Sequence, residues 1–298
     1  MINKWTILVL ALAGWLAAGG LLFEASGSQA PELAEPGRII SCTPNLTEVL
    51  FALGLGEKVV AVSQFSSYPP AAAGLAKIGS FWEPDFEAII AQEPDLVLTL
   101  SFPQQKELAE RLRRAEINAR SVTIWKVDDL FDAIEEIGEY AGVNERGRAL
   151  AKRIKDDVAK IQSQVKSDND KARVLWVVQR EPLRVAGTDV FETELVNLAG
   201  GRNAMGATIH KYPLVSAEQL YAVRPEVIIE AAMAGGDIDE HQRGAHEYWR
   251  KYESLPAVRD GRIYSLDGDL VSRLGPRLAE AVAAVADCIC PGVEEAPR

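Results

Sequence analysis

The sequence predicts an α/β fold of two Rossmann-like lobes with parallel sheets, joined by one long rigid helix. The first observation behind this prediction is that short β-branched runs alternate with helical segments in both halves of the chain, as parallel sheets require. The second is that a long charged segment interrupts the alternation between the halves. We therefore expect an N-terminal lobe over 31–143, a connecting helix over 144–168 and a C-terminal lobe over 169–298.

The N-terminal lobe is predicted from four apolar strand patterns and the helical patterns between them. In order, the segments are strand RIIS, helix LTEVLFALG, strand KVVAVS, a helix from Phe86, strand DLVLTL, helix QQKELAERLRRA, strand ARSVTIW and helix DDLFDAIEEIGEYAG. Gly54 closes the first of these helices, because glycine readily adopts the left-handed conformation found just after helix ends.

The connecting helix is predicted from a narrow apolar stripe in a charged segment. Apolar residues recur every three or four positions at Leu150, Ile154, Val158, Ile161 and Val165. This spacing places them on one face of a helix about 35 Å long. The C-terminal lobe then follows as strands ARVLWVVQ, PLRVAG, EVIIEA and GRIYSL with helices FETELVNLAGG, SAEQLYAV, AHEYWRKYESL and GPRLAEAVAAVADCI.

The two lobes carry similar sequences at one place. DFEAIIAQEPDLVL, from Asp85, and SAEQLYAVRPEVII, from Ser216, align without a gap. Each has a helix-capping residue, a glutamate two positions later (Glu87 or Glu218), a short helix, a proline, an acid and an apolar strand. Such internal similarity indicates duplicated lobes.

The N-terminus has the layout of an export signal, with a short basic start, an apolar stretch and a small polar region. We expect a signal peptide over 1–30. An uncleaved membrane anchor is the alternative, because Trp5 to Phe23 is just long enough to span a bilayer. No cysteine follows the apolar stretch, which argues against a lipid anchor. The formal net charge of −11 argues against nucleic-acid binding.

Catalytic and metal-binding motifs are scarce. The glycine-rich pairs follow helices rather than strands, so they do not predict a dinucleotide loop, and no nucleophile elbow occurs. Only three histidines exist. His241 and His246 are placed in a solvated loop, as is His210, although His210 could alternatively be an axial ligand to a metal-centred molecule. Cys42, Cys288 and Cys290 are interpreted as buried small side chains rather than as a metal site or disulfide.

Aromatic and charged residues gather in loops that follow or precede the predicted strands. Because ligands of open α/β sheets bind beyond the carboxyl ends of the strands, we expect these loops to line a ligand cleft between the lobes. Flat aromatic rings with a few polar groups suit a large, rigid, partly apolar ligand. The predicted ligand-binding residues are Phe65, Trp82, Arg180, Tyr212, Asp269 and Arg273.

From Arg38 to about Ile289 the sequence resembles the periplasmic iron-chelate and cobalamin substrate-binding proteins of ABC importers. The resemblance is carried by RIISCTPNLTEVLFALGLGEKVVAVSQFSSYPP, GSFWEPDFEAIIAQEPDLVL, VAGTDVFETELVNLAGGRN and GDLVSRLGPRLAEA. It implies an exported, non-enzymatic protein without a cofactor of its own, which captures a metal chelate between two lobes that move little. We expect it to be monomeric and periplasmic, or tethered outside the membrane by its N-terminal segment.

The cobalamin-binding members are the most similar, because the resemblance extends to Phe65, Trp82, Tyr212 and Asp269. The ligand implied is therefore cobalamin or a related corrinoid. Positions that can be tryptophan in those members are Leu100 and Leu270 here, which keeps ferric siderophore or haem as alternatives. A secreted α/β enzyme that uses the same cleft is the rival function of another class.

The resemblance also gives a partner and a role to the two glutamates of the duplicated segment. In this family, glutamates at these positions pair with arginines on the two halves of the permease dimer. The resemblance therefore implies that Glu87 and Glu218 dock the protein on its ABC importer, one from each lobe. The alternative is that each carboxylate only stabilises the positive end of its short helix.

Overall fold

Two five-stranded sheets organise the fold. The structure is a computed structural model, and it describes residues 35–165, 171–232 and 236–290. The first sheet has the strand order β3-β2-β1-β4-β5, and all its pairs are parallel. Its strands are β1 (Ile39–Ser41), β2 (Val59–Val62), β3 (Ala76–Lys77), β4 (Leu96–Leu100) and β5 (Ala119–Val122). The residues over 35–143 that surround it are called the N-terminal lobe below.

Five helices accompany this sheet, and prolines start several of them. They are α1 (Pro44–Ala52), α2 (Pro70–Ala73), α3 (Phe86–Ile90), α4 (Pro103–Arg114) and α5 (Val127–Tyr140). Helix α1 begins two residues before the predicted Leu46, because the fixed φ of Pro44 suits the first helical position. Gly54 follows α1 with a φ of 73°, as predicted for a helix end.

The second sheet has the order β10-β9-β6-β7, with β8 paired to β6. Its strands are β6 (Arg173–Gln179), β7 (Arg184–Val185), β8 (Arg202–Asn203), β9 (Val227–Ala232) and β10 (Ile263–Asp267). The α/β class is confirmed, but the expectation of a wholly parallel sheet is wrong here, because β7 is antiparallel to β6. The short turn between these strands leaves no room for the crossover that a parallel pair needs.

The remaining helices of this C-terminal lobe are α7 (Phe191–Leu198), α8 (Ala217–Val223), α9 (Ile238–Trp249), α10 (Pro256–Arg259), α11 (Gly268–Val271) and α12 (Leu278–Ile289). The prediction of a solvated loop around His241 and His246 is wrong, because both residues lie on helix α9. Its start is set by the Asp237 carboxylate, which accepts hydrogen bonds from the backbone N–H groups of Asp239 and Glu240.

The long helix between the lobes is α6 (Asn144–Gln164), and its predicted apolar stripe is buried. The stripe lies in a hydrophobic core that also includes Leu98 of the first sheet and Val174 of the second. Helix α6 packs closely on α5, since a Cβ at Gly138 would lie 3.1 Å from the Cα of Gly147. The last residues of the predicted helix, 166–168, lie outside the described part of the chain.

The duplicated segments fold alike in the two lobes. In each, a residue with φ near +47° precedes a proline between the short helix and the strand: Glu93 before β4 and Arg224 before β9. The acid after the proline accepts backbone N–H groups at the start of the neighbouring strand, as Asp95 does from Arg38 and Glu226 from Arg173. Helices α3 and α8 are therefore structural equivalents.

Within the described residues, no helix is both long and apolar enough to cross a membrane. The predicted signal peptide, 1–30, lies outside those residues.

Candidate functional site

Three of the predicted ligand-binding residues meet where the two lobes face each other, at the carboxyl ends of β2 and β10. The Arg273 guanidinium forms an ion pair with Asp269 at 2.5 Å and donates a hydrogen bond to the Phe65 carbonyl at 3.2 Å. The Ser67 hydroxyl donates to the Asp269 carboxylate at 3.4 Å. Since Phe65 and Ser67 belong to the N-terminal lobe, these contacts join the lobes.

A buried ion cluster that sequence analysis missed lies at the same place. Glu48 on α1 is only 3 % exposed, and its carboxylate accepts two hydrogen bonds from Arg277, at 2.7 and 2.8 Å. Arg273 approaches the same carboxylate at 3.8 Å. Two features of the sequence could have indicated this cluster: a charged residue on the apolar face of α1 and two arginines four positions apart, in SRLGPR.

Trp82 stands in the loop before α3 and presents a large apolar surface. It is 57 % exposed, and its ring packs against Phe81 and Phe102 with centroids 4.5 and 5.6 Å away. The buried Gln105 holds the loop, because its side-chain amide donates to the Phe81 carbonyl at 2.8 Å. Trp82 is thus an exposed aromatic face on a fixed support.

Tyr212 presents a second exposed aromatic ring, in the C-terminal lobe. Its hydroxyl donates to the Glu192 carboxylate at 3.3–3.4 Å. Burial raises the pKa of Glu192, and burial together with the Glu192 charge raises the pKa of Tyr212, so the phenol keeps its proton.

Tyr212 also borders a pocket of about 780 Å³ in the same lobe, together with the exposed His210. The other residues around this pocket are mostly apolar: Arg184, Met205, Ala207, Thr208, Ile209, Pro213, Leu214, Gln219, Ala222 and Val223. His210 lies in a loop, as predicted, with its backbone carbonyl accepting a hydrogen bond from Thr208.

Arg180 is placed at the carboxyl end of β6 but is engaged within its own lobe. Its guanidinium donates to the buried Glu230 carboxylate at 2.7 and 2.9 Å and to the His241 carbonyl at 3.1 Å. Glu230 also accepts a hydrogen bond from the Trp249 indole at 2.7 Å. Much of the donor capacity of Arg180 is therefore already used inside the protein.

Glu87 and Glu218 occupy the first turns of α3 and α8, and both are exposed. In the described part of the chain neither carboxylate has an ion-pair or hydrogen-bond partner. Asp85 and Ser216 provide the caps of these helices through their side chains. The glutamates are thus left available for an external partner.

The remaining reactive groups show no assembled chemistry. Over the described ranges, no three His, Cys, Asp or Glu side chains are placed to hold a metal ion. Burial raises the pKa of the Cys42 and Cys288 thiols to about 12, which makes them unreactive, whereas Cys290 is only half-buried. The arrangement offers aromatic faces, carboxylate–arginine pairs and an apolar pocket, which suit binding.

The sequence matches a family model described as "Periplasmic binding protein" over residues 39–270. One relative is the vitamin B12-binding protein of Vibrio parahaemolyticus, which is 29 % identical to this chain over 266 residues. That alignment covers 89 % of this chain and 93 % of the relative.

Solved structures of a vitamin B12-binding protein and a haem-binding protein share the fold. The periplasmic vitamin B12-binding protein of Vibrio cholerae superimposes with a TM-score of 0.72 and 28 % identity, over 85 % of this chain and 96 % of its own. A periplasmic haem-binding protein from Pseudomonas aeruginosa gives a TM-score of 0.73 and 26 % identity, over 87 % and 94 % of the two chains.

Proposed function

The chain belongs to the periplasmic binding protein family, and we propose that it captures cobalamin or a related corrinoid and delivers it to the permease of an ABC importer. The family is one of extracytoplasmic binding proteins rather than enzymes. The observation that carries the choice of ligand is the similarity to named vitamin B12-binding proteins along almost the whole chain.

The exposed aromatic rings support a large, flat ligand. Trp82 of the N-terminal lobe and Tyr212 of the C-terminal lobe both expose ring surface and are both held by neighbours. We propose that these rings contact the ligand and that Phe65 and Asp269 line the cleft beside them. Arg273 and Arg180 then act mainly by holding Asp269, Phe65 and Glu230 in place, since their guanidinium groups are engaged there.

Haem and ferric siderophore remain the second candidate ligands. The similarity to a haem-binding protein of the same fold favours haem, and His210 provides an exposed imidazole beside Tyr212. For a corrinoid ligand we propose no metal-coordinating residue other than His210, which would replace an axial group of the bound cobalamin.

For delivery, we propose that Glu87 and Glu218 pair with basic residues on the two halves of the permease dimer. Their equivalent positions on α3 and α8, their exposure and their lack of partners among described residues support this role. Two equivalent carboxylates, one from each lobe, match a partner with two-fold symmetry. We further propose that the binding protein itself acts as a monomer.

The experiment is to incubate purified protein separately with cyanocobalamin, haemin and a ferric hydroxamate siderophore, desalt each sample and record its visible spectrum. We expect corrinoid absorbance to elute with the protein at one equivalent. If only the haemin or the siderophore sample kept its ligand spectrum after desalting, that compound would be the ligand instead of a corrinoid. A shift of the corrinoid bands that disappears in His210→Ala would identify His210 as an axial ligand.

The same samples test the rival function, a secreted enzyme that uses the cleft. Mass spectrometry of the released corrinoid should return the unaltered mass after prolonged incubation. A changed mass that depends on the folded protein would instead support catalysis.

A further inference from the structure

The interface between the lobes contains a buried carboxylate that the proposed ligand contacts do not include. Glu48 comes from α1 of the N-terminal lobe, whereas its partners Arg273 and Arg277 come from the segment between α11 and α12 of the C-terminal lobe. Arg277 binds both carboxylate oxygens, through Nε at 2.8 Å and Nη2 at 2.7 Å. One carboxylate of one lobe is thus shared by two cations of the other.

The cluster is balanced in charge and directional. Glu48 and Asp269 supply two carboxylates, and Arg273 and Arg277 supply two guanidinium groups. A two-point arginine–carboxylate contact requires both groups to be nearly coplanar, so a small rotation of one lobe breaks both hydrogen bonds. If such a rotation admitted no water, the carboxylate would be left buried without a partner, which is strongly unfavourable. The cluster therefore favours one relative placement of the lobes.

The same arginines contact the residues proposed to line the cleft. Arg273 binds the Asp269 carboxylate and the Phe65 carbonyl, and Arg277 donates to the Asp269 carbonyl at 3.1 Å. The Arg277 guanidinium also lies 4.0 Å from the ring centroid of Tyr68. Glu48 therefore acts on the Asp269 backbone through its hydrogen-bonded partner Arg277, and on Phe65 and the Asp269 side chain through the charge of Arg273, 3.8 Å away.

We infer that Glu48 is a positioning residue for ligand capture. Without touching the ligand, it holds Arg277 and Arg273 so that the lobes keep one separation and Phe65 and Asp269 face the same cleft. The ligand-binding consequence rests on the proposed function, whereas the effect on lobe placement does not.

The direct test measures the distance between the lobes without ligand. Spin labels are attached at Glu107→Cys on α4 and Glu247→Cys on α9, both exposed positions, in a Cys290→Ser background that removes the half-buried native thiol. Pulsed electron resonance should give a narrow distance distribution in the parent protein and a broader or shifted one after Glu48→Gln. Equal distributions would overturn the inference.

A matched control separates positioning from general destabilisation. Glu226→Gln also removes a carboxylate that pairs with an arginine, Arg173, but within the C-terminal lobe and at the amino ends of its strands. This variant should keep the narrow distribution. If Glu48→Gln lowers only the melting temperature and leaves the distances unchanged, as the control does, Glu48 is merely structural and the inference is wrong.

A second variant provides the test if the Glu48→Gln protein does not fold. Arg277→Lys keeps the cation but cannot make the two-point contact with Glu48 and the bond to Asp269 together. It should broaden the same distribution, and an unbroadened distribution would contradict the inference.

Binding of cyanocobalamin is the second readout. If one molecule in ten of the variant holds the competent arrangement, its apparent affinity falls about tenfold, and bound ligand should narrow the distribution again. Parental affinity in a variant with broadened distances would overturn the link to capture. If the parent binds no cyanocobalamin, the proposed function fails, while the ligand-free distances still decide the role of Glu48.

Discussion

At the scale of single residues, the site separates into groups that are free to meet a ligand and groups that hold other groups. Trp82 and Tyr212 expose ring surface, whereas Arg180 and Arg273 direct their guanidinium groups to Glu230 and Asp269. Sequence analysis placed all four in the cleft because each lies in a loop beside a strand end. It could not tell which side chains are already engaged, since Glu230 lies 50 positions from Arg180 and the nearer Arg273–Asp269 pair depends on how the segment around it folds.

The first prediction concerns Trp82. Trp82→Ala should weaken cyanocobalamin binding by about 1–3 kcal/mol, the range expected for losing a packed aromatic contact and part of its buried area. Calorimetry measures the change, with Tyr221→Ala as the control, since Tyr221 is also an exposed aromatic residue but packs against Tyr252 within the C-terminal lobe. Unchanged affinity for Trp82→Ala would remove this residue from the site.

The second prediction concerns pH and His241. Its ring bonds to the Ser265 hydroxyl at 2.9 Å, and its pKa lies below the ordinary 6.5, because burial and the nearby Arg180 charge outweigh the attraction of Glu230. The unfolded chain therefore binds a proton more readily near pH 6. The stability contributed by the neutral imidazole is present above about pH 6.5 and is lost as the pH falls through the depressed value.

Urea unfolding at several pH values tests this sign. Between pH 7.5 and pH 5.5, the free energy of unfolding should fall more for the parent protein than for His241→Asn. Parallel pH profiles for the two proteins would contradict the account, since His210 and His246 are common to both.

At the scale of elements, the duplication is the most informative feature. The gapless similarity of the two segments correctly predicted two short helices with side-chain caps, and the structure adds the shared left-handed residue before each proline. Local patterns misplaced the start of α9. The helix was expected only from Ala245 and the residues before it were placed in a loop, although Asp237 caps a helix that already begins at Ile238.

The third prediction concerns α3 and α8. Glu87→Ala and Glu218→Ala should leave folding and ligand affinity unchanged but weaken docking to the reconstituted permease, by about 1.5–3 kcal/mol each for the loss of a charge-assisted contact. The double variant should be weaker still, and added salt should weaken the docking of the parent protein.

Glu110→Ala and Glu253→Ala are the controls, because they remove the same number of exposed carboxylates from the two lobes. They should dock normally. If the Glu87/Glu218 double variant binds the permease as tightly as its parent, each carboxylate only stabilises its own helix.

The fourth prediction concerns the contact between α5 and α6. Gly138→Val should destabilise the protein by about 1–3 kcal/mol, because the added atoms meet the Gly147 backbone and the Val143 carbonyl, which cannot easily move. Gly74→Val is the control, since a Cβ there meets nothing within 4 Å. Equal unfolding midpoints for the two variants would show that the helices are not in such close contact.

At the scale of the whole molecule, the apolar periodicity of the chain predicted the two sheets and the helix between them. The buried stripe of α6 belongs to a core shared by residues of both sheets, so this helix is an integral part of the packing. The ion cluster around Glu48 could not be predicted in the same way. Glu48 is 229 positions from Arg277, and no local period connects them.

Corrinoid capture by this molecule can be measured by a calorimetric titration of the purified protein with cyanocobalamin. We expect saturable binding of one corrinoid per chain, weakened by Trp82→Ala and unaffected by Glu87→Ala. A titration without binding heat across several temperatures, together with one-to-one binding of haemin under the same conditions, would contradict it.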